Sequence, residues 1–156
     1  MTVWATKKKP ISSPLVDCLL APVQLPTILQ EADYVVIAVP LTRETINLIG
    51  PQELAFMKST AYLINIARGA VVHQEALYTA LKQKTIRGAC LDVFQDEKPL
   101  SRNSRFYNLP NLLITSYSAH YYAESEADLM DLFFANLERF VSGETLLNII
   151  DSHDPL

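Results

Sequence analysis

Several apolar runs in this sequence end on residues that can do chemistry. Val39 leads into Pro40 and Thr45, Ile66 and Ala67 into Arg68, Leu91 into Asp92 with Glu97 beyond it, and Ile114 and Thr115 into Tyr117 with His120 close behind. A planar guanidinium grips a carboxylate through two parallel hydrogen bonds. An imidazole titrates near neutral pH and so can serve there as a general acid or base. Taken singly, Arg68 reads as a surface ion pair and Glu97 as a solvated loop carboxylate. Cys18 and Cys90 have no CxxC partner, so both read as reduced thiols and point to a cytosolic compartment. No spacing of ligands calls for a metal.

The elements that must position these residues follow from hydrophobic periodicity. Short apolar runs rich in β-branched residues alternate with amphipathic stretches, the pattern of a parallel sheet with crossover helices. Strands are expected over 2–6, 34–39, 61–66, 86–93 and 112–115, and the unbroken run from Tyr34 to Val39 predicts a strand covered on both faces. Helices are expected over 25–31, over 51–57 with proline in the first turn, over 74–82, and over 123–141, which Gly143 stops. In such a sheet, ligands bind beyond the carboxyl ends of the strands. That rule selects 40–45, 67–69, 92–97 and 115–120.

Composition excludes other classes. The 156 residues are 49% hydrophobic and 19% charged, enough for one core, and the formal charge of −4 is interspersed. Lys7 to Lys9 is the sole cationic run and reads as a solvated strand end, so nucleic acid is not an expected partner. No apolar stretch reaches the length of a membrane helix, and no signal-peptide core opens the chain, so a soluble protein is expected.

The strand-end residues, in their order and spacing, carry a family resemblance. The segments Ala32-Asp33-Tyr34-Val35-Val36 to Pro40-Leu41-Thr42 with Thr45, Met57-Lys58, Asn65-Ile66-Ala67-Arg68-Gly69, Leu91-Asp92-Val93-Phe94 with Glu97 and Pro99, and Asn111-Leu112-Leu113-Ile114-Thr115 resemble D-2-hydroxyacid dehydrogenases over residues 1 to about 150. The resemblance implies a Rossmann-like doubly wound sheet and hydride transfer between NAD or NADP and a small 2-oxo or 2-hydroxy acid. It implies that Arg68 binds the carboxylate and carbonyl of the acid, and that Glu97 pairs with a histidine proton donor. It also implies nucleotide contacts at Pro40, Thr45, Ile66, Ala67, Arg68, Asp92 and the segment from Tyr117 to His120.

Three departures qualify what the resemblance implies. The family reads Thr-Pro-His or Thr-Ser-His where this chain has Thr115-Ser116-Tyr117, so a phenol stands in place of the proton donor. A phenol holds its proton at neutral pH and donates a hydrogen bond, but it cycles protons less readily than an imidazole. His120 either reaches the same cleft or serves as a helix-entry histidine with a structural or solvent contact. Where NAD-selective members carry an acid that binds ribose hydroxyls, this chain has Lys7 and then Lys8, which tolerate a 2′-phosphate and favour NADP.

The third departure is the pyrophosphate loop. Gly50, Gly69, Gly88 and Gly143 are the four glycines, and no two are spaced for GxGxxG. The expectation is a partial dinucleotide-binding domain over 1–150 with a tail over 151–156, lacking the first strand, the glycine loop and a substrate domain. Two functions remain in view. One is an oxidoreductase of this type that is inactive as this chain, and the other a noncatalytic remnant serving as a binding or assembly module, as a homo-oligomer or with a complementing chain.

Overall fold

A computed structural model describes residues 1–8, 13–95, 100–119 and 121–149. The chain forms two compact units, Met1–Tyr117 and Ser118–Leu156. In the first, strands β1 (Trp4–Thr6) and β2 (Cys18–Leu20) form a small parallel sheet. Helix α1 (Leu25–Glu31) leads to β3 (Tyr34–Ile37), α2 (Pro51–Phe56) to β4 (Tyr62–Asn65), and α3 (Gln74–Gln83) to β5 (Gly88–Leu91), with β6 (Leu112–Ile114) after an irregular loop. These last four strands form a parallel sheet in the order β3-β4-β5-β6. The second unit is built on helix α4 (Ser125–Ser142).

Local chemistry explains the helix ends. Proline occupies the first turn of α1 and of α2, where the missing N–H costs nothing, and the Glu53 carboxylate accepts from the Gly50 N–H at 3.1 Å. His73 caps α3, its Nδ1 accepting from the Ala76 N–H at 3.2 Å. Gly143 ends α4 at φ 69°, as its lack of a side chain allows, whereas Lys84 takes the left-handed position after α3 at φ 58°. In the second unit the Asn136 carboxamide holds the Leu147 N–H at 2.7 Å and carbonyl at 3.3 Å, folding the segment after Gly143 back along α4.

The core lies on one face of the four-stranded sheet. Val35, Ile37, Leu63, Ala89 and Leu91 from the strands meet Leu29, Leu54, Leu77 and Leu81 from α1, α2 and α3, and Met57 just after α2. Each large aliphatic side chain buried there is worth about 1.5–3 kcal/mol. The prediction that β3 is covered on both faces is corrected: Val35 and Ile37 are buried, while Tyr34 is 65% and Val36 57% exposed. Consecutive βαβ crossovers of one hand place their helices on the same side, so the opposite face stays open among the described residues. Strand β2 was not foreseen, because a three-residue run next to Pro and Asp carries little periodicity. β1 pairs with β2 and β3 with β4, and no ladder joins the two sheets among the described residues.

Candidate functional site

Because β3 to β6 are parallel, their carboxyl ends share one edge of the sheet, and Pro40–Thr45, Ile66–Gly69, Asp92–Gln95 and Thr115–Tyr117 gather there. Arg68 stands on a turn fixed from both sides. In front, the fully buried Asn65 closes β4, accepting from the Ala67 N–H and donating from Nδ2 to the Arg68 carbonyl, both at 3.0 Å. Behind, Gly69 passes under the next loop so closely that a Cβ there would lie 1.9 Å from the Phe94 carbonyl carbon. Ala67 and Gly69 are buried and Arg68 between them is exposed. Its guanidinium turns back to donate to the Ala67 carbonyl at 2.8 Å.

The neighbouring loop is anchored in the core. Phe94 packs edge-on to Phe106 with ring centres 5.8 Å apart, and Phe106 to Tyr78 at 5.4 Å, while the Gln95 N–H donates to the Gln74 side chain at 3.0 Å. Asp92 is 6% exposed, its N–H bonded to the Asn65 carbonyl at 3.1 Å and its carboxylate accepting from the Thr115 hydroxyl. Burial, and then the charge of Asp92, push the Cys90 thiol above its ordinary pKa.

Tyr117 adopts φ 51°, a left-handed conformation uncommon for a residue with a side chain, and its N–H donates to the Asp92 carbonyl at 3.1 Å. Its ring lies under the Arg68 guanidinium, 5.9 Å from ring centre to the guanidinium carbon. Arg68 and Tyr117 are therefore neighbours at the strand ends. Ile66 is 44% exposed beside them. Glu97 and His120 lie outside the described residues.

At β3, the Thr45 hydroxyl donates to the Pro40 carbonyl and accepts from the Thr42 N–H, each at 2.7 Å, so within its own loop it acts as a staple. Lys7 is exposed after β1, and Lys8 pairs with Glu44 at 3.2 Å between two well-solvated side chains. The Thr6 hydroxyl at the end of β1 is buried and has no hydrogen-bond partner among the described residues. A hydroxyl with a free bonding capacity, followed in sequence by Lys7 and Lys8, fits a polar, anionic ligand group such as a phosphate-bearing ribose. At the other strand ends, the buried Asp92 acceptor and the exposed Ile66 surface fit a carboxamide-bearing ring. Among the described residues no group of His, Cys, Asp and Glu is placed to hold a metal, and no helix is long and apolar enough to cross a membrane.

Sequence reasoning named Arg68, Asp92 and Tyr117 but missed Asn65 and Thr115 as the residues that hold them. The available signal was an asparagine closing a strand just before a turn, a residue type that bonds to nearby backbone.

Residues 1–119 match the family described as D-isomer specific 2-hydroxyacid dehydrogenase, NAD binding domain. The chain is 43% identical over 127 residues to a glyoxylate reductase of Thermococcus gammatolerans, a match covering 80% of this chain and 37% of that protein. It is 43% identical over 123 residues to a glycerate dehydrogenase of Methylorubrum extorquens, covering 78% and 39%. Among solved structures, a D-isomer specific 2-hydroxyacid dehydrogenase from Xanthobacter autotrophicus Py2, in complex with NADPH and MES, matches with TM-score 0.85 and 34% identity over 96% of this chain and 60% of that one. The NAD complexed form of a D-isomer specific 2-hydroxyacid dehydrogenase from Lactobacillus delbrueckii ssp. bulgaricus matches with TM-score 0.81 and 28% identity, covering 96% and 48%. The chain thus spans about two-fifths of the length of these curated relatives. By family match, sequence identity and shared α/β architecture, it belongs to the D-isomer-specific 2-hydroxyacid dehydrogenases, within their NAD-binding domain.

Proposed function

We propose that this chain is an NAD(P)-linked 2-hydroxyacid dehydrogenase scaffold that keeps the carboxylate grip but not the proton donor, so that it can hold a small acid without reducing it. The observation that carries this reading is Tyr117, in the family's histidine position, lying against the Arg68 guanidinium at 5.9 Å. Arg68 is the group that would take the carboxylate and carbonyl oxygen of a small 2-oxo acid such as glyoxylate or hydroxypyruvate. Tyr117 offers that oxygen a hydrogen bond from a neutral phenol, and Glu97 has no imidazolium to stabilise. A bound nicotinamide cofactor would supply the hydride. Pro40, Ile66, Ala67 and Asp92 are the residues proposed to hold its nicotinamide end, Thr45 to brace their loop, and Thr6 with Lys7 to favour NADP at the other.

A pyrophosphate is ordinarily held by a glycine loop at a helix N-terminus, and no such spacing occurs in this sequence. Cofactor binding by the chain should accordingly be weak. Calorimetric titration with NADPH and NADH is the test: the account expects no saturation in the micromolar range, with NADPH the better of the two. Saturation at low micromolar cofactor would overturn it.

A second reading, an assembly or binding module, is favoured by apolar surface. Tyr34, Val36 and Leu113 share the open sheet face, and Phe133, Phe134, Leu137 and Phe140 on α4 are 46–73% exposed. Surfaces of this kind favour association with a second copy or a complementing chain.

A further inference from the structure

We propose that Asn65 is a positioning residue, whose carboxamide aims the Arg68 guanidinium into the strand-end cleft to receive a small carboxylate. The proposal rests on the reading of Arg68 as the carboxylate grip. Asn65 is 1% exposed, and a polar amide buried this completely is costly unless its bonds are made. They are made to the peptide units on either side of the Ala67–Arg68 bond: Oδ1 to the Ala67 N–H and Nδ2 to the Arg68 carbonyl, each at 3.0 Å. The same carbonyl accepts from the Val71 N–H at 3.2 Å, so the turn ahead of Arg68 and the one behind it meet at one oxygen.

The backbone of Asn65 extends the constraint across the sheet. Its carbonyl accepts from the Asp92 N–H at 3.1 Å, and Asp92 in turn accepts the Tyr117 N–H on its own carbonyl at 3.1 Å. One residue thereby links the peptide that carries Arg68 to the peptide that carries the ring beneath it. Gly69 removes the remaining freedom, since a backbone passing under Phe94 at its distance cannot shift toward that loop. With its Cα held on both sides, the long Arg68 side chain starts from a fixed direction and reaches the Tyr117 ring. Aspartate at position 65 would keep the acceptor for Ala67 but set a carboxylate against the Arg68 carbonyl, and leucine would remove both bonds at similar volume.

The experiment is nuclear magnetic resonance of the whole chain labelled with nitrogen-15. In the parent, the Asn65 side-chain amide hydrogens should resist solvent exchange, and the Arg68 Hδ and Nε–H signals should be shifted upfield by the Tyr117 ring, a shift abolished by Tyr117→Leu. In the folded population of Asn65→Asp or Asn65→Leu, the upfield shift of Arg68 should vanish while the amide signals of β3 keep their positions. Oxalate, titrated as a planar carboxylate probe, should bind these variants about tenfold more weakly, the loss of one good hydrogen bond's contribution. Rapid exchange of the Asn65 amide in the parent would overturn the proposal even if neither variant folds. So would an Arg68 shift unchanged in the folded variants, which is the result of a merely structural role. Failure of oxalate to perturb Arg68 in the parent would instead overturn Arg68 as a carboxylate grip, leaving the ring shift to judge Asn65.

Discussion

At the scale of single residues, the chemistry of the strand ends depends on very short distances. Gly69 has no room for a side chain beneath Phe94, so Gly69→Ala should cost about 3 kcal/mol or more in urea denaturation, because the atoms it meets are backbone. A cost below about 0.5 kcal/mol, typical of a neutral surface site, would contradict the close approach. Cys90 offers a test through pH. Burial first, and then Asp92, raise its pKa, so less thiolate is present at any pH than in a free thiol. Iodoacetamide should label Cys90 more slowly than it labels glutathione at pH 8, and Asp92→Asn should speed the labelling by removing the nearby charge. The strand-end positions of Arg68 and Tyr117 were legible in the sequence, since both follow apolar runs that end at a strand terminus, while their proposed roles came from the family resemblance. Asn65 was not, because its role lies in a side-chain bond to backbone three residues away, and nothing in residue type alone separates such a bond from an ordinary polar turn.

At the scale of elements, helix and strand positions followed periodicity to within two or three residues, and the departures are physical. The run from Tyr34 to Val39 reads as uniformly apolar, yet alternate residues are exposed, because apolarity says which faces tolerate cover and not which faces have it. Lys84 closes α3 in a left-handed turn that a glycine-based reading does not flag. The cap of α3 is a site of adjustable stability. His73 occupies it with a ring nitrogen as acceptor, and an aspartate would accept the same N–H while placing negative charge at the positive end of the helix. His73→Asp should therefore raise unfolding stability by about 0.5–1 kcal/mol, and His73→Ala should lower it by about 1 kcal/mol. Thermal denaturation of the three proteins checks the order, and an alanine variant as stable as the parent would refute the cap.

At the scale of the whole molecule, two sheets with no joining ladder among the described residues, an open sheet face and an apolar helix surface leave strand edge and apolar side chains exposed. The chain should therefore associate as its concentration rises, and a monodisperse 17.5 kDa particle in light scattering at high concentration would contradict this. The central proposal is narrower: that the grip for the acid is kept and the proton donor is not. Its most direct measurement is cofactor oxidation with glyoxylate in a chimaera that joins a relative's glycine-loop strand and substrate domain to this chain, with Tyr117 or with Tyr117→His. The account predicts little turnover with tyrosine and a rise of about a hundredfold or more with histidine, the usual scale of a positioned acid; equal rates in the two chimaeras would contradict it.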